Sequence, residues 1–287
     1  MKKIKYFLQF IFICFLFFVF KIIGLNFARV LSGFIVSHIG PIFRSNKIIF
    51  SNLSKAFPEM TESEKKNISK KMWVNYGKIL SEYMFMKNFR YGSRNLPTME
   101  IENQQILRDI ETSKKPAIFI SGHFNNFELM AMQIEKLGID LVAVYRPLNN
   151  IFLNPLMEKI RKNYICKNQI KKGISGTKQL LQSFKSGKSI ALMIDQRVSQ
   201  GIRSKFFNDN ALTTTIPAQF VKKYNTNIIP VYIERAKLNC FKFKFYEPIN
   251  FSKDSSIELI TEELNKVIEK MIKKNPDQWI WTHDRWK

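Results

Sequence analysis

Short apolar runs alternate with helix-forming segments from residue 116 onward, and this alternation limits the fold more than any other feature of the chain. A short apolar run between polar or turn-forming residues is typical of a buried strand. Strands that alternate with helices form a largely parallel sheet flanked by helices. The sequence therefore predicts an α/β domain, with a buried strand at residues 116–121 and further strands at residues 140–145, 189–194 and 227–233.

Other segments show helical spacing or a mixed pattern. Thr61 followed by Glu64 resembles a capping box and predicts one or two helices that extend to Met86. Phe241–Tyr246 alternates Phe with Lys, which suits either an edge strand or a half-exposed strand. Further helices are predicted from their spacing at residues 127–137, 152–164, 177–184 and 256–274.

The N-terminal segment Phe7–Phe20 is apolar except for Gln9, and lysines precede and follow it. Extended to Leu25, it has nineteen residues, close to the ~20 that cross a bilayer as a helix. The residues after it lack the small-residue cleavage site of a signal peptide, so we expect an uncleaved membrane anchor. A buried core helix is the alternative, which the apolar character of every face disfavours.

These features divide the chain into three predicted parts. Residues 1–25 form the membrane anchor, residues 26–97 a helical N-terminal region, and residues 98–287 the α/β domain. The boundary between the last two follows a polar connection at residues 90–97, which contains a glycine and a proline.

Charge and cysteine usage indicate the surroundings of the protein. The chain carries 46 Lys and Arg against 23 Asp and Glu, a net charge of +23, and no acidic residue precedes Glu59. Such an excess attracts phosphates, anionic lipid surfaces and acidic proteins, although a codon bias toward A and T also raises the number of lysines. Cys14, Cys166 and Cys240 lie far apart, which indicates a reduced, cytosol-facing body. We expect no metal and no cofactor, since the three histidines lack ligand spacing.

A histidine and a glutamate follow the first predicted strand. Open α/β sheets place their sites at the carboxyl ends of strands, and His123 comes two residues after that strand ends. Asn125 or Asn126 is expected to cap the next helix, which puts Glu128 in its first turn. If the loop folds back, Glu128 holds one imidazole nitrogen while the other accepts a proton from a hydroxyl. The alternative is a capped histidine at a strand end without a catalytic role.

The segment Ser121-Gly-His-Phe-Asn-Asn-Phe-Glu128 resembles the His-x4-Glu motif of the lipid A lauroyl/myristoyl acyltransferases, the late acyltransferases of lipid A synthesis. The resemblance covers nearly the whole chain, because further segments are similar to that family in the same order. They are Asn52-Leu-Ser-Lys-Ala-Phe-Pro58, Tyr145-Arg-Pro-Leu-Asn-Asn150, Ile194-Asp-Gln196, Phe206-Phe207 with Thr213-Thr-Thr215, and Trp279-Ile-Trp-Thr-His-Asp-Arg-Trp-Lys287.

This resemblance implies a fold similar to that of the glycerolphosphate acyltransferases. Members of the family move an acyl chain from acyl carrier protein to a hydroxyl of an acyl chain on the lipid A precursor. By that likeness His123 is the general base and Glu128 its orienter, while Arg161 and Asp195 match polar residues of the family site. Together with the apolar segment and the unpaired cysteines, it predicts an inner-membrane protein, in contact with membrane lipids, whose catalytic domain faces the cytoplasm.

Three polar residues each have two interpretations. Arg161 is expected to bind phosphate or a developing oxyanion, or else to be a solvated helix cation. Asp195 follows the third strand and is expected at the edge of the sheet beside His123, or as a helix or turn cap. Arg146 follows the second strand and suits a phosphate or donor contact, or else a salt bridge at the strand end.

The C-terminal tryptophans Trp279, Trp281 and Trp286 suit either an interfacial aromatic cluster or a tail packed on the core, and we favour the tail. His283 has no carboxylate at a matching spacing, so we expect no catalytic role for it.

The sequence leaves three functions open. The first is acyl transfer onto a lipid A precursor. The second keeps this chemistry but uses another membrane glycolipid or a lysophospholipid as acceptor and acyl-coenzyme A as donor. The His–Glu pair favours the first, because phospholipid enzymes of this kind typically carry Asp at the second position. The third is a basic, membrane-tethered binding protein without activity. The basic residues are spread along a chain without a nucleic-acid motif, so we expect no nucleic-acid partner.

Overall fold

The computed structural model describes residues 2–93, 97–236 and 240–287. Seven strands form one sheet, and two more form a separate antiparallel hairpin. In chain order the strands are β1 Thr98–Glu102, β2 Ile118–Ser121, β3 Leu141–Tyr145, β4 Asn168–Lys171, β5 Ser189–Met193, β6 Ile202–Phe206, β7 Asp209–Thr213, β8 Ile228–Ala236 and β9 Cys240–Phe245.

The strand order in the large sheet is β1-β9-β8-β2-β5-β3-β4. The strands from β8 to β4 in this order run parallel, whereas β9 runs antiparallel to β8 and pairs in parallel with β1. The predicted α/β class with a largely parallel sheet is confirmed. The four predicted strands are also confirmed and correspond to β2, β3, β5 and β8, and β2 is buried along its whole length, as predicted.

Strand β9 is not an edge strand, because it lies between β1 and β8. The edge alternative rested on the alternation of Phe and Lys, and the sequence pattern did not predict β1. Lys242 and Lys244 of β9 are half-buried and lie 3.3 Å from the carboxylates of Glu100 and Glu102 on β1. The half-exposed alternative is therefore correct, and the edge alternative is wrong. Strand β4 and the hairpin of β6 and β7 were not predicted either.

Helices cover both faces of the sheet. The predicted capping box is present, since the Thr61 hydroxyl accepts the N–H of Glu64 and the Glu64 carboxylate accepts the N–H of Thr61. The α-helices are α1 Lys2–Phe43, α2 Asn46–Ala56, α3 Glu62–Glu82, α4 Met86–Tyr91, α5 Gln104–Ser113, α6 Glu128–Lys136, α7 Leu153–Ile160, α8 Ile174–Lys185, α9 Ile216–Tyr224 and α10 Ile257–Lys274.

These helices confirm the predicted helical segments. One π-helical turn, Arg161–Ile165, continues α7, and 3-10 turns occupy Tyr83–Phe85 and Pro276–Gln278. The connection predicted at residues 90–97 begins with the last turn of α4, and residues 94–96 lie outside the described part of the chain.

The core has one apolar cluster on each face of the sheet, as the alternation of side chains along β2 shows. Ile118 and Ile120 pack on one face with Leu180 of α8 and the helices α9 and α10. Phe119 packs on the other face with Leu129 of α6 and with α1. The sheet thus forms the middle layer of three, and its carboxyl edge lies open between the two helical layers.

Helix α1 contains the predicted anchor and continues beyond it. Gly24 interrupts the helix with a φ of +77°, which only glycine adopts readily. Among the described residues, α1 is the helix long and apolar enough to cross a membrane by length and composition, with a mean hydropathy of 2.5 over an 18-residue stretch. This segment fits a membrane anchor.

The second half of α1 is fixed to the body by a buried charge cluster. Glu82 Oε1 accepts hydrogen bonds from Arg29 at 2.6 Å and Arg235 at 2.7 Å, and its other oxygen accepts from Asn126 at 2.7 Å. Burial raises the pKa of Glu82, but the two guanidinium groups outweigh it and hold this pKa below its ordinary value. The ionised carboxylate therefore links α3 to α1, to β8 and to the loop after β2.

The C-terminal tail packs on the core, as favoured from the sequence. Trp279, Trp281 and Trp286 are all buried, and Arg285 is buried with them. The alternative of an interfacial aromatic cluster is wrong, because these rings do not reach the surface. The tail instead brings the indole of Trp279 to Asp195, at the carboxyl edge of the sheet.

Candidate active site

His123 and Asp195 meet at the carboxyl edge of the sheet. They follow the neighbouring strands β2 and β5, in which Ser121 pairs with Met193. His123 Nδ1 lies 2.8 Å from Asp195 Oδ1, and the backbone N–H of His123 donates to Asp195 Oδ2 at 2.8 Å. The prediction that Asp195 lies beside His123 is confirmed.

Trp279 donates a third hydrogen bond to the same carboxylate, from Nε1 to Asp195 Oδ2 at 2.7 Å. Burial raises the pKa of Asp195, but the charge of a protonated His123 and these hydrogen bonds outweigh it and lower the pKa below its ordinary value. An ionised carboxylate only accepts, so Nδ1 of His123 donates to it and Nε2 of the neutral ring is free to accept a proton.

The imidazole faces a cavity and is held from two sides. Its ring packs edge-on against Phe127, with ring centroids 4.7 Å apart and an interplanar angle of 66°. The His123 side chain is 18% exposed, whereas Asp195 beneath it is fully buried. A histidine that is fixed in orientation and open at one nitrogen can act as a general base.

Glu128 lies in the first turn of α6, as predicted, but it does not hold the imidazole. Its carboxylate accepts hydrogen bonds from Arg161 Nε at 2.8 Å and Nη2 at 2.7 Å, and from the hydroxyl of Tyr83. The predicted hydrogen bond between His123 and Glu128 is therefore wrong. Asp195 reaches the ring from the adjacent strand, and Arg161 reaches Glu128 from the end of α7.

The predicted asparagine cap of α6 is also wrong. The helix has Phe127 at its N-cap position, and no side chain caps it. Asn125 adopts a left-handed φ of +46°, and its side-chain oxygen accepts from Arg235 at 2.9 Å. Asn126 donates instead to Glu82. Both side-chain amides thus form hydrogen bonds with residues distant in sequence. These bonds connect the loop that carries His123 to β8 and α3.

Arg161 is a largely buried cation, so its interpretation as a solvated helix residue is wrong. Its side chain is 11% exposed and lies in the π-helical turn after α7. Burial lowers the pKa of Arg161, but the charge of Glu128 raises it by more, so the guanidinium stays charged. In the part of the chain that the structure describes, its Nη1 has no hydrogen-bond partner.

Arg146 lies at the mouth of the cavity and is exposed. Within residues 2–93, 97–236 and 240–287 the structure gives it no ion pair, so the expected strand-end salt bridge is not formed. Tyr145 pairs with Lys171 across β3 and β4, and the N–H of Lys172 donates to the carbonyl of Tyr145 at 2.8 Å. The ends of the adjacent strands β3 and β4 therefore place the cations Arg146, Lys171 and Lys172 at the mouth of the cavity.

The cavity has a volume of about 460 Å³ and combines polar and apolar walls. His123, Glu128, Arg161 and Arg146 contribute polar groups, so the structure brings four of the predicted site residues to one cavity, with Asp195 directly beneath His123. Its apolar wall includes Met130, Ala131, Ala143, Ile165, Leu180 and Leu192. Such a wall suits a hydrocarbon chain beside a group that accepts protons.

Neither His283, which lines the cavity, nor Cys166, which lies at the amino end of β4, is placed for covalent chemistry. His283 Nε2 accepts the backbone N–H of Arg197 at 2.9 Å, and burial lowers the pKa of this imidazole. Burial raises the pKa of the Cys166 thiol to about 12, which suppresses the reactive thiolate. In the described residues, no group of three or more His, Cys, Asp or Glu is arranged to hold a metal ion.

The fold and the site define a class of protein: an α/β protein with a His–Asp pair, suited to accept a proton, at a cavity with an apolar wall. The whole chain, residues 1–287, matches the family described as bacterial lipid A biosynthesis acyltransferase, and the protein belongs to that family. The resemblance seen in the sequence motifs is confirmed, and the protein is an acyltransferase.

Two curated relatives come from Escherichia coli K12. The lipid A biosynthesis lauroyltransferase is 28% identical over 258 residues, which cover 85% of this chain and 79% of the relative. The lipid A biosynthesis palmitoleoyltransferase is 23% identical over 249 residues, with the same coverage of 85% and 79%. Among solved structures, the 1-acyl-sn-glycerophosphate acyltransferase of Thermotoga maritima aligns with 86% of this chain and 97% of its own, at 13% identity and a TM-score of 0.44.

Proposed function

We propose that the protein transfers a fatty acyl chain from acyl carrier protein to a hydroxyl of a lipid A precursor, at the cytoplasmic face of the inner membrane. The observation that carries this proposal is the buried, ionised Asp195, which orients His123 toward a cavity with an apolar wall. Family membership and relatives named as lipid A acyltransferases support the acyl group and the lipid acceptor.

In this mechanism His123 is the general base. Its Nε2 accepts the proton of the acceptor hydroxyl while that oxygen forms a bond to the thioester carbonyl carbon. The carbonyl electron pair moves to oxygen, returns when the tetrahedral intermediate collapses, and breaks the C–S bond. The departing thiolate takes the proton from His123, so the enzyme returns to its initial state without a covalent acyl-enzyme.

Asp195 and Glu128 have different roles in this proposal. Asp195 fixes the tautomer of His123 and stabilises the imidazolium that forms during the reaction. Glu128 acts through Arg161, because its two hydrogen bonds set the direction of the guanidinium. Arg161 lines the cavity, and its buried Nη1 has no hydrogen-bond partner among the described residues, so we assign the guanidinium to the developing oxyanion or to a substrate phosphate.

The donor site in this proposal is the basic mouth of the cavity. Three exposed cations line it: Arg146 directly follows β3, Lys171 ends the adjacent β4, and Lys172 follows it. Acyl carrier proteins are acidic, and complementary charge raises the rate of encounter. We therefore assign Arg146 to contact with the acyl carrier protein. A comparison of turnover with acyl carrier protein and with the coenzyme A thioester as donor tests this assignment.

Acyl transfer by the purified, detergent-solubilised protein tests the proposal. With acyl carrier protein as donor and a lipid A precursor as acceptor, His123→Ala should lower the turnover by ~10²–10⁴-fold. Glu128→Ala should lower it by a similar or smaller factor, because the base remains but Arg161 loses its partner. His38→Ala is the matched control, since His38 is exposed on α1 and bonded only locally. Near-native turnover of His123→Ala would contradict the mechanism.

A further inference from the structure

The first half of α1 has two apolar faces with different surroundings. Phe10, Ile13, Phe17 and Phe20 are spaced three or four residues apart and belong to the same apolar cluster as side chains of α6 and α7. The opposite face is unpartnered in the described chain. Its residues are also spaced three or four apart and are each at least half exposed: Ile4, Leu8, Ile11, Phe15, Phe18 and Ile22. We call this set the outer stripe.

The body of the protein accompanies α1 along almost its whole length. Near the N-terminus, Asn150 Nδ2 donates to the carbonyl of Tyr6 at 2.8 Å. Near the other end, Gly40 lies so close to the ring of Trp73 that an added Cβ would overlap it. Helix α1 is therefore a packed element of the fold rather than a separate stalk.

This packing is incompatible with a helix that crosses the bilayer alone. Crossing takes ~20 residues and ~30 Å of hydrocarbon. Because the body lies against α1 from Tyr6 onward, it would enter the hydrocarbon together with the helix. The loop at residues 146–152, which holds Arg146 and contacts Tyr6, would then expose polar backbone and a cation to lipid, which does not occur in membrane proteins.

We propose that α1 lies in the plane of one leaflet, with the outer stripe in the hydrocarbon and the N-terminus on the same side of the membrane as the catalytic body. The charge distribution fits this position. Lys5 and Lys21 are exposed beside the stripe and occupy none of its positions, so they reach the headgroups from its borders. No acidic residue precedes Glu59, which matches an anionic surface.

The in-plane position has one consequence for catalysis, which rests on the proposed function. The loop that contacts the start of α1 also lines the mouth of the cavity through Arg146, Pro147, Leu148 and Asn149. The mouth therefore lies close to the lipid surface. An acceptor lipid reaches His123 without leaving the leaflet.

Cysteine labelling of the full-length protein in membranes tests the side of the N-terminus. Lys3→Cys is compared with Lys66→Cys, an exposed position of α3, both with Cys14→Ser to remove the native thiol on the helix. A membrane-impermeant maleimide should modify both variants in vesicles that expose the catalytic body to the outside. In vesicles of the opposite orientation, the rate of labelling should be at least ~10-fold lower for both variants. Modification of the two positions from opposite sides would overturn the proposal.

The depth of the outer stripe gives a second test, which needs no enzymatic activity. Spin labels are attached to Leu8→Cys, Phe15→Cys and Ile22→Cys in vesicles of phosphatidylethanolamine and phosphatidylglycerol. An in-plane helix places all three labels at a similar depth, ~5–10 Å below the headgroups. A crossing helix rises 1.5 Å per residue, so the label at position 15 would lie ~10 Å deeper than the one at position 8. That profile would overturn the proposal, whereas failure of acyl transfer alone would contradict only the proposed function.

Discussion

Asp195→Asn is the substitution that most sharply tests whether Asp195 sets the tautomer of His123. The native Oδ2 accepts two N–H groups, the backbone of His123 and the indole of Trp279. An amide nitrogen cannot accept either bond, so the amide oxygen must take the Oδ2 position. The new NH2 group then faces His123 Nδ1 and donates to it.

This reversal places the imidazole proton on the wrong nitrogen. When Nδ1 of His123 accepts, the neutral ring carries its proton on Nε2, which faces the cavity and can no longer act as a base. The loss of a correctly oriented tautomer costs ~10³–10⁴-fold in turnover, or about 4–5.5 kcal/mol of transition-state stabilisation. The affinity for the lipid should change little, because Asp195 is buried beneath the ring and does not line the cavity.

The assay is steady-state acyl transfer in detergent, with kcat and KM determined separately and the thermal midpoint measured in parallel. Asp209→Asn is the matched control, since it makes the same chemical change at an exposed position of the hairpin of β6 and β7. It should leave both kinetic constants unchanged. Glu128→Gln in the same assay measures the contribution of the second carboxylate, which bonds Arg161 and not His123.

Turnover of Asp195→Asn within tenfold of the native enzyme, at an unchanged thermal midpoint, would contradict this role for Asp195. A rise in KM without a fall in kcat would mean that Asp195 shapes the binding site rather than the tautomer.

Other contacts of the site and the core lead to four more predictions. Trp279→Phe keeps an aromatic ring but removes the indole N–H from the buried carboxylate, so kcat should fall by ~5–30-fold; Trp281→Phe, whose indole bonds a backbone carbonyl, should keep the native kcat. Arg161→Lys cannot reproduce the two bonds to Glu128 and should lower turnover by ~10–100-fold, without loss of membrane-bound protein. The pKa of Glu82 is lower in the folded protein than in the unfolded chain. The ionised carboxylate therefore stabilises the fold fully above about pH 4.3, and this stabilisation is lost as the pH falls through the pKa of the folded state. Glu82→Gln should lower the midpoint of thermal unfolding at pH 7, and its midpoint should decrease less than that of the native protein as the pH is lowered. Turnover with acyl carrier protein should fall as salt rises from low to physiological concentration, and turnover with the coenzyme A thioester should fall less.

The fold was predictable where its elements are defined by local sequence. The four central strands are short apolar runs, and Thr61 and Glu64 mark a helix start within four residues. The position of Asp195 at the carboxyl edge of the sheet also followed from local sequence, because Asp195 directly follows the apolar run at residues 189–194. These predictions needed no knowledge of which distant residues pack together.

The pairing of side chains within the site was not predictable in the same way. Glu128 is five residues from His123, yet its partner is Arg161, which is 33 residues away. Trp279 reaches Asp195 across 84 residues. Strand β1, with charged residues at alternate positions, became a strand only because β9 lies beside it. In each case tertiary contacts decide between local alternatives of similar energy.

Mass spectrometry of lipid A gives a direct test of the proposed acyl transfer. Lipid A is compared from cells that lack the protein, cells that contain the native protein, and cells that contain His123→Ala at an equal membrane level. We expect that only the native protein increases the mass of lipid A, by one fatty acyl group. Identical lipid A in all three, or an increase with His123→Ala equal to that with the native protein, would contradict the proposed function.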